Sequence, residues 1–352
     1  MSREANEQSS VMLLAGDVGG SKTRLGLFER GGDRPKAVAA DDFVTLDYDG
    51  LDAIIDRFLH GQRVAPDRLA AATFGVAGAI TDQVAQLTNV PWRIDAASLS
   101  RKFAIQRVRL LNDLEAMAYA IPVLTDDELA ILQPGTKVDS GNIGVLAAGT
   151  GLGVGMLINV KGRLVPAPSE GGHADFAART PRELEMVAAL TPLLGRVSAE
   201  HILSGPGLVN VYRFTHGALD GDRFPSASNQ VHVRICDGVG DFSDPSDLPP
   251  RITAAAAERR CPRCVETVDM FIAAYGAEAG NLALRIVATA GIYLGGGIAP
   301  RILPAMRSGP FLEAFRAKAP MDRLVAKIPV AVILNTKSGL LGAAVNANAA
   351  AV

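Results

Sequence analysis

The chain has 352 residues, with 35 Lys+Arg against 37 Asp+Glu, 48% hydrophobic residues and only 5% aromatics. That balance excludes a disordered polyelectrolyte and gives no bulk charge to attract nucleic acid, while the length suggests two domains with aliphatic cores. The 36 glycines and 20 prolines point to many tight turns rather than to collagen or low complexity.

In chain order, Met12–Gly16 and Thr23–Phe28 read as strands around a Gly-Gly turn, and Lys36–Phe43 as a third strand. Leu51, Ile54, Ile55, Phe58 and Leu59 follow the spacing of an amphipathic helix. Strands at Ala70–Val76 and Arg107–Leu111 come next, and Leu114–Ile121 opens a helix directly after the second. Strands alternating with helices predict an α/β domain with a partly parallel sheet.

Ser140–Val160 contains no charged residue and is long enough to span a bilayer, yet six glycines interrupt it. The stretch instead repeats the opening of the chain: strand Ile143–Ala148, glycine loop Gly149–Gly153, strand Val154–Ile158, then a third strand at Arg163–Pro166. A duplicated hairpin predicts two similar α/β domains facing each other across a cleft. Thr180-Pro181-Arg182-Glu183 is a capping box opening a helix to about Leu190. Ser198–Leu203 reads as helical, terminated at Gly205-Pro206-Gly207, and Gly217–Pro250 as a long loop with one brief alternation at Val231–Ile235. Helical character spans Ile252–Ala288; Ile292–Leu294 and Val330–Leu334 are strands, and Gly339–Asn346 is a small-residue helix.

The three cysteines, Cys236, Cys261 and Cys264, are too sparse for a disulfide framework and predict a reducing compartment. The N-terminus has no basic stretch before an apolar run, so no signal peptide is expected, and the cytoplasm is the expected location. Cys261 and Cys264 form one CxxC; zinc would need two further ligands, so they read as surface or helix-cap thiols.

Three glycine loops carry chemistry. In Leu14–Phe28, Asp17 ends a strand, Gly19 and Gly20 let the backbone approach an anion, and Ser21 and Thr23 add hydroxyls. Asp17 is suited to hold a hydrated Mg²⁺. Ala147–Gly155 repeats this logic around Thr150, and Tyr293–Pro300 places Gly295, Gly296 and Gly297 after a strand. Together they point to a nucleotide phosphate site. Asn112-Asp113 lies at the C-terminal end of a strand, where α/β sheets bind ligands, although the pair also suits an ordinary helix cap. Glu170 and His173 flank a glycine turn and Glu200 follows; carboxylates, amides and imidazoles pair with vicinal hydroxyls.

The segments DVGGSKTR, FGVAGAI, LTNVPW, LLNDLEAMAYAIP, AAGTGLGVG, PSEGGHADF, VSAEHILSGPGLVNVYR, GGGIAPR and SGLLGAA resemble the bacterial glucokinases, of the sugar-kinase, actin and heat-shock-chaperone ATPase superfamily. The resemblance runs in order from about Leu13 to Ala344. It implies two ribonuclease-H-like, actin/hexokinase-type α/β domains around a central cleft: residues 1–122 with 335–352 as the small domain, and 123–334 as the large one. It also implies ATP-dependent phosphorylation of D-glucose with Mg²⁺, in a homodimer, with neither nucleic acid nor membrane as partner. Asp113 would be the general base, Asn112 would hold the neighbouring hydroxyls, and Glu170, His173 and Glu200 would bind the opposite edge of the sugar. Gly16, Asp17, Val18, Gly19, Gly20 and Ser21 would embrace the ATP phosphates from one side, Thr150 and Gly151 from the other, with Gly295–Gly297 at the adenosine.

Two departures stand out. The family usually has Thr-Asn after the glycine pair, where this chain has Ser21-Lys22. Related sugar kinases with a zinc site carry a cysteine cluster soon after the EGGH histidine, and this chain does not. A kinase for fructose, mannose or an N-acetylhexosamine is the alternative reading, and a non-catalytic sugar sensor is another. Only Met1–Val11 precedes the first strand, which leaves no room there for a DNA-binding helix-turn-helix.

Overall fold

The computed structural model describes residues 11–87, 90–219, 236–242 and 244–351. The chain forms two compact units, Met1–Glu128 with Asn335–Val352, and Leu129–Leu334.

The first unit begins with β1 (Met12–Val18), β2 (Lys22–Glu29) and β3 (Lys36–Val44), then α1 (Leu51–Gln62) and β4 (Leu69–Val76). A small antiparallel sheet of β5 (Ile80–Thr81), β6 (Val84–Gln86) and β7 (Arg93–Asp95) leads to α2 (Ala96–Phe103), β8 (Val108–Asn112) and α3 (Asp113–Ala120). The main sheet has the order β3-β2-β1-β4-β8, antiparallel through the first three strands and parallel from β1 to β4 to β8.

In the second unit, β9 (Leu129–Gln133) is followed by β10 (Ile143–Ala148), β11 (Leu152–Val160) and β12 (Arg163–Ala167). Then come α4 (Pro181–Leu194), α5 (Gly205–Thr215), α6 (Leu248–Ala257), α7 (Pro262–Ile286) and β13 (Gly291–Gly295). The short helices α8 (Ile298–Arg301), α9 (Leu303–Met306), α10 (Pro310–Arg316) and α11 (Asp322–Val325) precede β14 (Val330–Ile333). Its sheet order is β12-β11-β10-β13-β14-β9. Again two antiparallel hairpin strands adjoin a parallel run, β10 to β13 to β14, with β9 added antiparallel at the edge. The duplication anticipated from the two glycine hairpins is therefore present at the level of strand order. The last helix, α12 (Ser338–Ala350), belongs to the first unit.

Both central strands are apolar on both faces because both faces are covered. On β1, Leu14 packs with Ile54, Phe58, Phe74 and Phe103, whereas Leu13 and Ala15 face Leu340, Ala343, Ala344 and Ala347 of α12. All of β10 is buried, which explains why Ser140–Val160 lacks charge: it is a core hairpin. No described helix is long and apolar enough to cross a membrane.

Three expectations are corrected. Ser198–Leu203 is not helical; the Ala199 and Glu200 N–H groups donate to the Ala174 and Gly172 carbonyls at 2.8 and 2.9 Å, and this strand-like pairing displaces helix. Gly205-Pro206-Gly207 begins a helix rather than ending one, because Ser204 Oγ accepts from Gly207 N–H at 2.9 Å and proline suits the first turn. The Ile252–Ala288 run is two helices, α6 and α7, broken where Arg259 turns left-handed at φ 54°. Most of the Gly217–Pro250 segment, including Val231–Ile235, lies outside the described residues.

Candidate active site

In the first unit the candidate residues collect at the carboxyl ends of parallel strands, where an open α/β sheet exposes its loops. Across β4, Asp17 of β1 is level with Gly75, and Asn112 of β8 is level with Val76. Two strand spacings separate β1 from β8, about 10 Å.

The Gly19–Ser21 loop is pinned from below. Its turn closes with Gly19 N–H donating to Lys22 O at 3.0 Å. Thr45 Oγ1 donates to Gly19 O at 2.8 Å and accepts from Thr23 Oγ1 at 2.9 Å, while Thr45 N–H donates to Ser21 O at 3.1 Å. Thr45 was not anticipated, and no local pattern marks it: it stands on a turn after β3 and reaches the loop only through sheet pairing. The unusual Lys22 points along the hairpin to Asp42, at 2.6 Å, where Arg24 Nε also pairs at 2.5 Å. Arg24 and Lys22 hold the Asp42 carboxyl at about 2, the Arg24 hydrogen bond being the larger cause.

Asp17 is half-buried, and burial pushes its carboxyl above the usual carboxylate range, with Arg24 opposing that shift. The first turn of α12 comes close: a Cβ placed on Gly339 would lie 3.2 Å from Asp17 Oδ2. Asn112 caps α3, its Oδ1 accepting from Leu114 N–H at 3.0 Å, and Asp113 Oδ1 accepts from the same N–H at 2.9 Å. Asn112 Nδ2 donates to Gly78 O at 3.4 Å. The helix-cap reading of this pair therefore holds, and the capping role fixes the orientation of both side chains.

In the second unit, five candidates form one group. Gly149 N–H donates to Gly151 O at 2.9 Å, tightening the Thr150 loop, and Gly205 N–H donates to Gly149 O at 2.8 Å. Glu200 Oε2 accepts from Leu152 N–H at 2.8 Å. His173 Nδ1 lies 3.8 Å from Glu200 Oε1, and His173 Nε2 lies 4.0 Å from Glu170 Oε2. Glu170 and His173 are exposed, whereas Glu200 is half-buried against the loop. Gly295 of β13 is level with Ala147 of β10, which sets Gly295–Gly297 beside the Thr150 loop. Gly296 adopts φ 79°, and a Cβ there would come 2.2 Å from Ala148 O, so the backbones can meet only at glycine.

Chemically, the first unit offers two carboxylates and a carboxamide beside an anion-binding turn. The second offers two further glycine turns beside a carboxylate–imidazole–carboxylate set fit for vicinal hydroxyls.

The family model described as Glucokinase matches residues 14–350. A glucokinase of Nostoc punctiforme is 37% identical, covering 95% of this chain and 98% of its own length. One of Erwinia tasmaniensis is 36% identical, covering 94% of each. The crystal structure of a glucokinase from an Antarctic psychrotroph superposes with a TM-score of 0.82 at 26% identity, over 96% of this chain and 99% of that one. A ROK family glucokinase from Streptomyces griseus, solved with glucose and AMPPNP, shares the fold at 20% identity, covering 96% of this chain and 99% of its own, with a TM-score of 0.59. The match is nearly full length, and the chain belongs to the glucokinase family.

Proposed function

We propose that this protein transfers the γ-phosphoryl group of ATP to D-glucose, giving D-glucose 6-phosphate. The observation that carries the reading is the Asn112-Asp113 pair, locked by its capping hydrogen bonds at the end of β8, level with the Asp17 strand end. Phosphoryl transfer asks mainly for positioning and charge stabilisation, and a rigid strand-to-helix junction supplies the first. Asp113 takes the proton from the attacking sugar hydroxyl, and Asn112 orients the neighbouring hydroxyls. Glu200, held by Leu152 N–H, accepts from ring hydroxyls, with His173 and Glu170 completing the set. The Gly16–Ser21 strand end and turn and the Thr150–Gly151 loop take the phosphates, and the side-chain-free Gly295–Gly297 leaves room for the adenosine.

Magnesium fits the donor set. Asp17 is a half-buried carboxylate that burial disfavours as a bare anion, and Arg24, whose charge opposes that effect, is paired with Asp42. Asp17 would hold the ion through water. There the ion would supply positive charge to offset that of the phosphates.

The test is turnover with ATP over a hexose panel, then with Asp113→Asn. Glucose is expected to be the best acceptor. The variant should lose roughly 10²–10⁴-fold in kcat while still binding glucose. Unchanged turnover would remove Asp113 from the base role. Faster turnover of fructose, mannose or an N-acetylhexosamine would move the acceptor, and binding of sugar without turnover would make the chain a sensor.

A further inference from the structure

The CxxC of Cys261 and Cys264 does not stand alone. Cys264, on the first turn of α7, is fully buried, and Cys261 is the residue that caps that helix. Around them the fold brings Cys236, just ahead of the turn Asp237–Val239, and His216, at the C-terminal end of α5. Four potential ligand atoms from these residues all lie within 4.8 Å of one another.

Three of the spacings match the edges of a tetrahedral site. Cys236 Sγ and Cys264 Sγ are 3.7 Å apart, and His216 Nε2 is 3.5 Å from Cys261 Sγ and 3.9 Å from Cys264 Sγ. Four ligands at Zn–S ≈ 2.3 Å and Zn–N ≈ 2.0–2.1 Å have edges of about 3.8 Å between sulfurs and about 3.6 Å between sulfur and nitrogen. A disulfide would instead need its sulfurs at about 2.05 Å.

The surroundings are arranged for the same ligand. His216 Nδ1 lies 2.8 Å from the Tyr212 carbonyl, which can only accept, so Nδ1 carries the proton. That tautomer turns the Nε2 lone pair toward the thiols, the arrangement in which a second hydrogen bond orients a ligating imidazole. Thr215 Oγ1, 3.0 Å from the same Nδ1, is itself tied to Thr267 Oγ1 of α7 at 2.7 Å. Tyr212 Oη donates toward Cys236 Sγ at 3.5 Å. The N-terminus of α7 favours negative charge on Cys261 and Cys264. Three thiolates and one imidazole around a divalent ion leave one net negative charge. Arg263, bonded to His216 O at 3.3 Å, and Arg260, bonded to Gly238 O, stand close enough to offset it. Gly238 is close-packed as well: a Cβ there would lie 2.7 Å from Cys261 Cβ.

We propose that His216, Cys236, Cys261 and Cys264 bind one structural Zn²⁺ that staples α5, the Asp237–Val239 turn and the start of α7. All four tetrahedral positions are filled by protein, so the ion has no open position for substrate and the site is structural rather than catalytic. It is separate in sequence from the EGGH segment, and it fixes the two ends of the chain that leave α5 and re-enter ahead of α6. Because Cys261 follows the break between α6 and α7, the ion would also hold that break in place.

The test is metal content. Protein purified without chelator should carry stoichiometric zinc by elemental analysis, and a thiol-blocking mercurial should release it. Replacement by Co²⁺ should give thiolate-to-cobalt charge-transfer and d–d absorption of a tetrahedral site. Cys236→Ser, at a partly exposed position, should lose the metal and the cobalt spectrum and lower Tm, and Cys261→His, which keeps four ligands, should retain zinc. Absence of zinc both as purified and after incubation with equimolar Zn²⁺, with no cobalt spectrum, would overturn the proposal. So would a Cys236–Cys264 disulfide in protein kept under reducing conditions. These readouts do not involve turnover, so they stand or fall apart from the glucose kinase reading.

Discussion

The Glu200 carboxylate occupies the space that a side chain on Gly151 would need: a Cβ there would sit 2.6 Å from Glu200 Oε2. The same oxygen accepts from Leu152 N–H at 2.8 Å, and the other oxygen faces His173 Nδ1 at 3.8 Å. The phosphate-type glycine loop and the hydroxyl-binding set of the second unit thus share one side chain, and a change in the first is transmitted to the second.

Gly151→Ala is therefore expected to act on the sugar as well as on the nucleotide. The added methyl must displace the Glu200 carboxylate from Leu152 N–H. A loss of about 1.4 kcal/mol at that contact would raise the KM for glucose about tenfold. Thermal unfolding should change little, because Gly151 and Glu200 are only half-buried. Steady-state kinetics with glucose varied at saturating ATP measures it; an unaltered KM would show that Glu200 does not hold the sugar.

Asp17 should trade stability for activity. Burial raises its folded-state pKa above that of the unfolded chain, so the ionised form is disfavoured in the folded protein. The folded state then binds the proton more tightly, and stability falls as pH rises from the unfolded value through the raised folded one. Asp17→Asn removes this cost, and the ligand-free variant is expected to unfold at a higher temperature than the parent at pH 7. Its kcat should drop about a hundredfold or more, since a few kcal/mol of charge stabilisation at the phosphates is lost. A less stable variant would contradict the burial argument, and an active one the metal role.

Glu128 ties three separate segments of the first unit. Its Oε2 accepts from Arg34 at 2.7 Å and from Thr125 N–H at 2.8 Å, and its Oε1 accepts from Arg34 at 2.8 Å and Asn335 Nδ2 at 2.7 Å. The Arg34 hydrogen bond is the largest cause that lowers its carboxyl from 4.5 to about 2. A depressed carboxylate contributes stability that is complete above the unfolded value and is lost as pH falls from about 4.5 through about 2. Glu128→Gln should cost roughly 1.5–3 kcal/mol at pH 7, the range for hydrogen bonds to a charged group. It should also flatten the parent's acid limb over that window. Urea midpoints at pH 7 and pH 3 for both proteins decide it, and parallel pH profiles would discard the assignment.

Much of the candidate site was legible because its residues are contiguous. Asp17 with Gly19-Gly20, the Thr150 loop, Asn112-Asp113 and Gly295–Gly297 each lie within one strand-and-turn unit, and strand patterning alone places them at carboxyl ends. The doubled hairpin likewise predicts two sheets of one topology, as found in the orders β3-β2-β1-β4-β8 and β12-β11-β10-β13-β14. Ser198–Leu203 misled because its apolar spacing suits a helix, while its backbone is claimed by residues 172–174, a pairing invisible from local propensity. Ser204-Gly205-Pro206-Gly207 misled because the same residues stop one helix or start another, depending on where the serine side chain bonds.

By itself the sequence determined the fold class, the family and the positions of the candidate loops, because glycine turns, caps and strand ends are short-range features whose residue types follow from backbone geometry. Tertiary structure alone decided that Glu200 folds back on Gly151, that Thr45 pins the first loop, and that His216 and Cys236 join the CxxC. Cys236 and Cys261 are separated by the whole of α6, and His216 enters from α5; no spacing rule encodes their meeting. It arises from the burial of α5 and α6 against α7, a packing driven by apolar surface rather than by the ligands it brings together.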